Sequence, residues 1–271
     1  MCENQSASPT VENIDRPIKS LYSLLSAVFI FSIQDVLIKL ISGNYPVHEI
    51  VLIRSCIAIL PILLIAHFEG GLHFLRITNY AGHFIRSIFM FAAYTCFFMS
   101  LSALPIAETV SLFFSTPIFI TILSVLILRE KVDLRAWLAV ATGFSGVLIM
   151  LKPGLTMIDP AAILAIMSAL FYAIASIITR WLGRTESGVS IAFYMTIMYL
   201  FFSTIIAVVL TKQGMSNNSH PSLAFLFREW RLPANSDWFM FLCIGTLAAA
   251  GFYFQSQAYR LAQPSKITAF E

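Results

Sequence analysis

The sequence predicts an all-α, polytopic transmembrane helix bundle, and three observations lead to this. The 271 residues are 58% hydrophobic and only 11% charged, whereas soluble chains carry about 25% charged residues. Apolar windows of roughly 20 residues, the length of a membrane-crossing helix, recur along the chain. The two halves of the sequence also resemble each other. The apolar excess therefore needs a lipid bilayer as its solvent.

Composition argues against several other classes of protein. The 17 Lys and Arg residues against 14 Asp and Glu residues give a net charge of +3, and the basic residues lie in short loops, so no nucleic-acid partner is expected. Of four cysteines, Cys2 is in a polar leader and the others lie in apolar runs, which excludes a disulfide framework. The sequence carries neither an ATP-binding GxxxxGK[ST] loop nor an HExxH zinc motif, and it indicates no catalytic residue, cofactor or metal.

The order of the elements follows from the apolar windows. Residues 1–19 are polar and lack the apolar run of a signal peptide, which predicts a short disordered cytoplasmic tail. Because each backbone polar group in hydrocarbon must be satisfied within its own segment, the windows that follow should be helices. Eight spans are predicted, at about 20–41, 47–67, 80–100, 107–128, 136–151, 160–179, 189–211 and 237–258.

Basic residues in the loops predict the orientation. With the amino terminus inside, ten of the 17 Lys and Arg residues lie on the cytoplasmic side, four lie outside and three lie within spans. Three of the four outer residues share one longer loop, at about 212–236. Within that loop, residues 223–230 form an amphipathic stretch suited to the membrane surface. A multi-pass protein with a cytoplasmic amino terminus is expected.

An internal repeat organises the chain. Residues 32–39 correspond to 173–180, and 101–105 correspond to 260–264. Five spans per repeat is an odd number, so the second copy should be inverted, the construction of secondary transporters. The predicted units are a first five-helix repeat at 20–152 and a second, truncated one at 160–271, with three helices and the start of a fourth. By the length of the first repeat, most of a ninth span and all of a tenth are absent. The sequence is then a fragment or a truncated gene product, or the repeat assignment is incorrect.

Short motifs carry a resemblance to a known family. They are Asp35-Val-x-x-Lys39, His48-Glu49-x4-Arg54, Arg86, Pro105, Pro117, Arg129-Glu130-Lys131, Gly143-Phe-x-Gly146 and Lys152-Pro153. These residues resemble EamA-type carriers of the drug/metabolite transporter superfamily, most closely the bacterial subset that includes S-adenosylmethionine uptake carriers. The resemblance spans about 20–271 and is stronger in the first repeat. It implies ten helices in two inverted EamA repeats around a central cavity in the bacterial inner membrane.

Charged residues inside the spans are the first candidate site residues, because charge at bilayer depth is costly. Asp35 and Arg54 lie at about the same depth, 9 to 10 Å below the outer ends of their spans. Lys39 lies one helical turn from Asp35, and Glu108 lies near the outer end of the fourth span. We expect an outer-half charged cluster that changes pairing during transport. The alternative is a permanent ion-pair network, with Lys39 reaching to the surface.

Arg86 and three tyrosines complete the candidate set. Arg86 has no acidic partner at its depth, so it is either an anion-binding residue or an interfacial anchor. Tyr94 and its repeat equivalent Tyr253, together with Tyr172, are expected either to line a central cavity or to pack between helices. Three positive and two negative intramembrane charges favour an anionic or zwitterionic substrate.

The predicted function is secondary transport, without enzymatic activity. The expected substrate is a small polar organic metabolite, amino-acid- or nucleoside-like, with S-adenosylmethionine included, moved by alternating access. The alternative is a degenerate or truncated transporter remnant that acts as a non-transporting membrane scaffold. Proton coupling, exchange and homodimer formation stay open. Gly143-Phe144-Ser145-Gly146 matches an intramembrane protease motif. Such a protease needs a histidine base on a later span, but the only histidine after Ser145 is His220, which lies in a loop.

Overall fold

A computed structural model of the chain describes residues 17–69, 71, 75, 77–129, 133–151, 159–183, 185–211 and 220–262. Residues 1–16 of the predicted tail lie outside this range. Helices are labelled in chain order: α1 (Pro17–Ile41), α2 (Val47–Glu69), α3 (Tyr80–Ala103), α4 (Ile106–Phe113), α5 (Thr116–Leu126), α6 (Leu134–Leu151), α7 (Pro160–Leu182), α8 (Gly188–Thr211), α9 (Pro221–Phe227) and α10 (Trp238–Leu261). The predicted all-α bundle is confirmed.

The predicted spans correspond closely to these helices. Seven stretches of the described chain are long and apolar enough to cross a membrane, and they are α1, α2, α3, α4 with α5, α7, α8 and α10. The remaining predicted span, 136–151, forms α6, whose 18 residues rise about 27 Å. The first helix begins at Pro17 rather than at residue 20, because proline at a helix start lacks only an N–H that would have no partner there.

The predicted fourth span is not one helix but two, α4 and α5, separated at Phe114 and Ser115. Pro117 causes the break, since it has no N–H to donate to the carbonyl oxygen of Phe113, four residues earlier. The Thr116 hydroxyl donates to that oxygen instead, at 2.6 Å, and the Ser115 hydroxyl donates to the Leu112 oxygen at 2.8 Å. Side-chain hydroxyls therefore satisfy the freed backbone at membrane depth. Pro61 leaves α2 continuous.

Helix packing has the arrangement that inverted repeats require. The first helix, α1, packs along α10, and α7 packs along α3. Under the repeat, α1 corresponds to α7 and α10 corresponds to α3, so the two pairs are equivalent. Helices α2 and α8, which also correspond under the repeat, pack against each other. Gly245 allows α10 to approach α2 closely, because an added Cβ would lie 2.5 Å from the Ile57 side chain.

Residues 220–237, between α8 and α10, pack on one end of the bundle. Within this segment, α9 packs against α3 and α2, and Phe225 is buried, so this amphipathic segment contacts the protein in addition to any lipid. Nearby, the Tyr45 hydroxyl donates to Asp237 at 2.7 Å and accepts from the Ala234 N–H at 3.1 Å. Burial, with the Asp237 hydrogen bond, raises the pKa of Tyr45 above its ordinary value. The Arg228 guanidinium also donates to the Ser42 carbonyl oxygen.

Candidate functional site

A cavity of about 270 Å³ lies in the middle of the bundle. Its wall comes from α1, α3, α4, α7, α8 and α10, and most of the lining residues are near the midpoints of their helices. Helices of both halves of the sequence therefore surround it. This midplane position between repeats is where secondary transporters bind their substrates.

Aromatic residues are the largest group in the wall. The break between α4 and α5 contributes to it, since Phe113 and Phe114 lie at that break and line the cavity. The aromatic lining residues are Phe31, Tyr94, Phe97, Phe98, Phe113, Phe114, Tyr172, Tyr199 and Phe252. Rings of this number offer π faces and edges to a planar or cationic ligand.

The polar part of the wall carries unused hydrogen-bond acceptors. Asp35 is the one charged residue among the described residues of the wall. Gln34 and Gln255 also line the cavity, and their side-chain oxygens are buried without a hydrogen-bond partner in the described chain. An unsatisfied buried polar atom costs about 1–3 kcal/mol. A ligand with N–H or O–H donors would remove that cost.

Several donors of the wall are already used within the protein. The Ser168 hydroxyl donates to the Ala93 oxygen at 2.7 Å, and the Tyr199 hydroxyl donates to the Met90 oxygen at 2.9 Å. The Gln255 side-chain nitrogen donates to the Tyr172 hydroxyl at 2.9 Å. The Tyr94 hydroxyl has no hydrogen-bond partner in the described chain and can still donate, but the oxygens of Gln34, Gln255 and Asp35 outnumber it as acceptors.

Arg54 lies behind the wall in an aromatic cage. Its guanidinium is fully buried and has its carbon 3.9 Å from the Tyr94 ring centre, 5.0 Å from Phe252 and 5.2 Å from Tyr199. All three rings also line the cavity, whereas Arg54 does not. Cations within about 6 Å of a ring centre are attracted by its quadrupole. The rings thus stabilise a buried cation on the far side of the wall.

The expected ion pairs of the outer-half cluster are not formed. Within the described chain, the one contact under 4.0 Å between a basic and an acidic side chain joins His220 and Asp159, at 3.3 Å. The Lys39 ammonium instead donates to the carbonyl oxygens of Leu101, and of Leu104 at 3.1 Å. These carbonyls lie at the carboxyl end of α3, where the helix dipole favours a cation.

Two further candidate residues lie away from the cavity. Glu108 is in the first turn of α4 and is not part of the wall. Arg86 is fully buried, and its Nε donates to the Thr179 hydroxyl at 2.5 Å. It connects α3 to α7, so it is neither an interfacial anchor nor a cavity-facing anion site in this structure.

Two of the three tyrosines expected at the cavity line it. Tyr94 and Tyr172 line the cavity, but the Tyr253 hydroxyl donates to the Glu69 carboxylate outside it. Its neighbour Phe252 faces the cavity instead. Tyr199 and the two glutamines were not singled out from the sequence. Their signal is the one used for the other tyrosines, a polar group midway along an apolar span.

Comparisons with known proteins show which proteins the chain is similar to. A family profile described as the EamA-like transporter family matches residues 18–152. A riboflavin transporter of Vibrio cholerae is 24% identical over 259 residues, which are 94% of this chain and 80% of that protein. An S-adenosylmethionine uptake transporter of Rickettsia prowazekii is 28% identical over 180 residues, 65% of this chain and 60% of that protein.

Two more matches are similar in extent. A pseudopaline exporter of Pseudomonas aeruginosa is 26% identical over 235 residues, 86% of this chain and 75% of that protein. A solved structure, described only as "Crystal structure of protein", matches with a TM-score of 0.67 at 16% identity. The aligned region covers 93% of this chain and 83% of the solved chain. At such low identity the structural match supports the fold alone.

Proposed function

Because the chain belongs to the EamA-like transporter family of the drug/metabolite transporter superfamily, we propose that it moves a small polar organic metabolite through its central cavity by alternating access. The chain is a multi-pass membrane transporter of small molecules, not an enzyme. Its relatives are bacterial, which supports the inner membrane as its location. The proposed orientation places the amino terminus in the cytoplasm, on the loop charges alone.

The observation that carries this proposal is the position of the cavity. It lies near the midpoints of its lining helices, which are α1, α3 and α4 from the first half of the chain and α7, α8 and α10 from the second. Rocking of one set of helices against the other would open such a site to each side of the membrane in turn. The names of its relatives suggest S-adenosylmethionine and riboflavin as the first metabolites to try.

Counterflow in proteoliposomes tests the proposal. Vesicles loaded with unlabelled metabolite should accumulate the labelled form above the level of empty vesicles. Ala93 lines the cavity, so Ala93→Phe should fill it and abolish counterflow. Ala141→Phe, the same substitution on the exposed face of α6, should leave counterflow intact.

The opposite outcomes are equally clear. If the wild-type chain accumulates neither metabolite, nor any from a wider panel of amino acids, nucleosides and vitamins, the non-transporting scaffold is favoured. If Ala93→Phe transports as well as Ala141→Phe, the cavity is not the route.

A further inference from the structure

We propose that the central cavity selects a planar organic cation rich in N–H donors, such as an amidinium or a protonated aminoheterocycle, over neutral or anionic rings of the same shape. The inference rests on the proposed function, because it names the substrate class of the same cavity. It differs from the expectation drawn from the sequence, which counted Arg54 and Arg86 toward an anionic or zwitterionic substrate.

The first step concerns the sign of the charge that reaches the ligand. Asp35 lines the cavity, whereas Arg54 and Arg86 do not. Both arginines are fully buried in the protein around the cavity, Arg54 beneath the rings of the wall and Arg86 against Thr179. In the described wall, the one acidic or basic side chain available for direct contact with a ligand is therefore that of Asp35.

The second step concerns shape. Aromatic rings make up much of the wall, and three of them already stack around the guanidinium of Arg54. A guanidinium is itself a planar cation with several N–H donors, so these rings already face one group of that chemistry. A flat cation inside the cavity would contact other parts of the same aromatic wall.

The third step concerns hydrogen bonds. The side-chain oxygens of Gln34 and Gln255 are buried with no partner in the described chain, while Ser168 and Tyr199 spend their hydroxyl hydrogens on backbone oxygens. The side-chain oxygens of Gln34, Gln255 and Asp35 are therefore acceptors that a ligand's donors could satisfy. A ligand rich in N–H groups supplies such donors, and a carboxylate ligand supplies none.

An isosteric series of probes tests the proposal. Benzamidine, benzamide and benzoate share one ring and nearly one shape, but at neutral pH they are a cation, a neutral molecule and an anion. Binding of labelled benzamidine to the full chain in detergent would be measured by equilibrium dialysis, with the other two as competitors. Benzamidine should bind about tenfold more tightly than benzamide, and benzoate should not displace it.

Substitutions assign the selectivity to Asp35. Asp35→Asn should bring benzamidine affinity down to that of benzamide and leave benzamide unchanged, while Asp35→Glu should retain most of the preference. Asp133→Asn removes the same charge from an exposed position before α6 and should change nothing. A variant that merely distorts the cavity would weaken both ligands together.

Three results would overturn the inference: no saturable benzamidine binding to the wild-type chain, equal competition by all three probes, or tighter binding of benzoate. The wild-type probe series stands even if Asp35→Asn does not fold. Counterflow on the same preparation reports the proposed function separately. A chain that transports metabolites but prefers benzoate refutes only the charge selectivity, and a chain that transports nothing refutes the proposed function.

Discussion

The aromatic cage of Arg54 should make a measurable contribution to stability. The closest ring, Tyr94, has its centre 3.9 Å from the guanidinium carbon, and the group is fully buried. Cation–π interactions reach about 2 kcal/mol when the cation is desolvated. A double-mutant cycle of Arg54→Met and Tyr94→Leu should therefore give a coupling energy of about 2 kcal/mol, a factor of about 30 in the unfolding equilibrium.

The assay is reversible unfolding of the full chain in mixed micelles, titrated with dodecyl sulfate and followed by circular dichroism. Phe97→Leu provides the control, because Phe97 lines the same cavity from the same helix but is not one of the three rings around Arg54. Its cycle with Arg54→Met should give a coupling energy near zero. A Tyr94 coupling below about 0.5 kcal/mol, within the additivity expected of independent sites, would show that the rings only fill space.

Three other perturbations have defined outcomes. Lys39→Met should destabilise the chain by about 1–3 kcal/mol in the same titration, because it removes a charged donor from carbonyls at the end of α3; Lys39→Arg should recover part of this, and equal stability of Lys39→Met and wild type would contradict the contact. Gly245→Ala should cost about 1–3 kcal/mol by forcing a methyl group against Ile57, and added Ile57→Ala should relieve it; a neutral Gly245→Ala would mean that α2 and α10 separate freely. Alkaline phosphatase fused after Gly43 should be active, and after Arg129 inactive, if the amino terminus is cytoplasmic; the reverse pattern would overturn the orientation.

Depth along each helix could be predicted from the sequence, but rotation about the helix axis could not. The rise per residue places Asp35 and Tyr94 well inside the bilayer, and both line the cavity. In a soluble helix the apolar stripe marks the buried face, but here the lipid-facing and protein-facing sides are both apolar. The sequence therefore carried no signal that Lys39 turns toward the end of α3.

The repeat alignment shows the same limitation at Tyr253. It matched Tyr94 with Tyr253, yet the residue that faces the cavity from α10 is Phe252, while Tyr253 bonds to Glu69. Successive residues of a helix point about 100° apart, so a displacement of one position moves a side chain off the cavity. Alignment of two apolar segments fixes the helix and its depth more securely than it fixes the residue.

The break in the fourth span could be predicted only in part from the sequence. Pro117 indicated a bend, but a proline alone does not decide between a bend and a break, as Pro61 in the continuous α2 shows. What distinguishes Pro117 is its context, since Ser115 and Thr116 satisfy backbone oxygens of the preceding turn. The hydroxyl residues just before the proline are the sequence feature that marks a break at membrane depth.

The proposed charge selectivity of the cavity depends on the absence of an ion pair between Asp35 and Arg54. Had the two formed the expected ion pair, both charges would have been satisfied within the protein, and the wall would have offered a ligand only rings and amides. Instead, the Arg54 guanidinium packs against the rings of Tyr94, Tyr199 and Phe252, behind the cavity wall. The carboxylate stays in the cavity wall without an ion-pair partner in the described chain. Because Arg54 packs against the rings and forms no ion pair with Asp35, the acidic side chain in the cavity wall is left for the ligand that we propose.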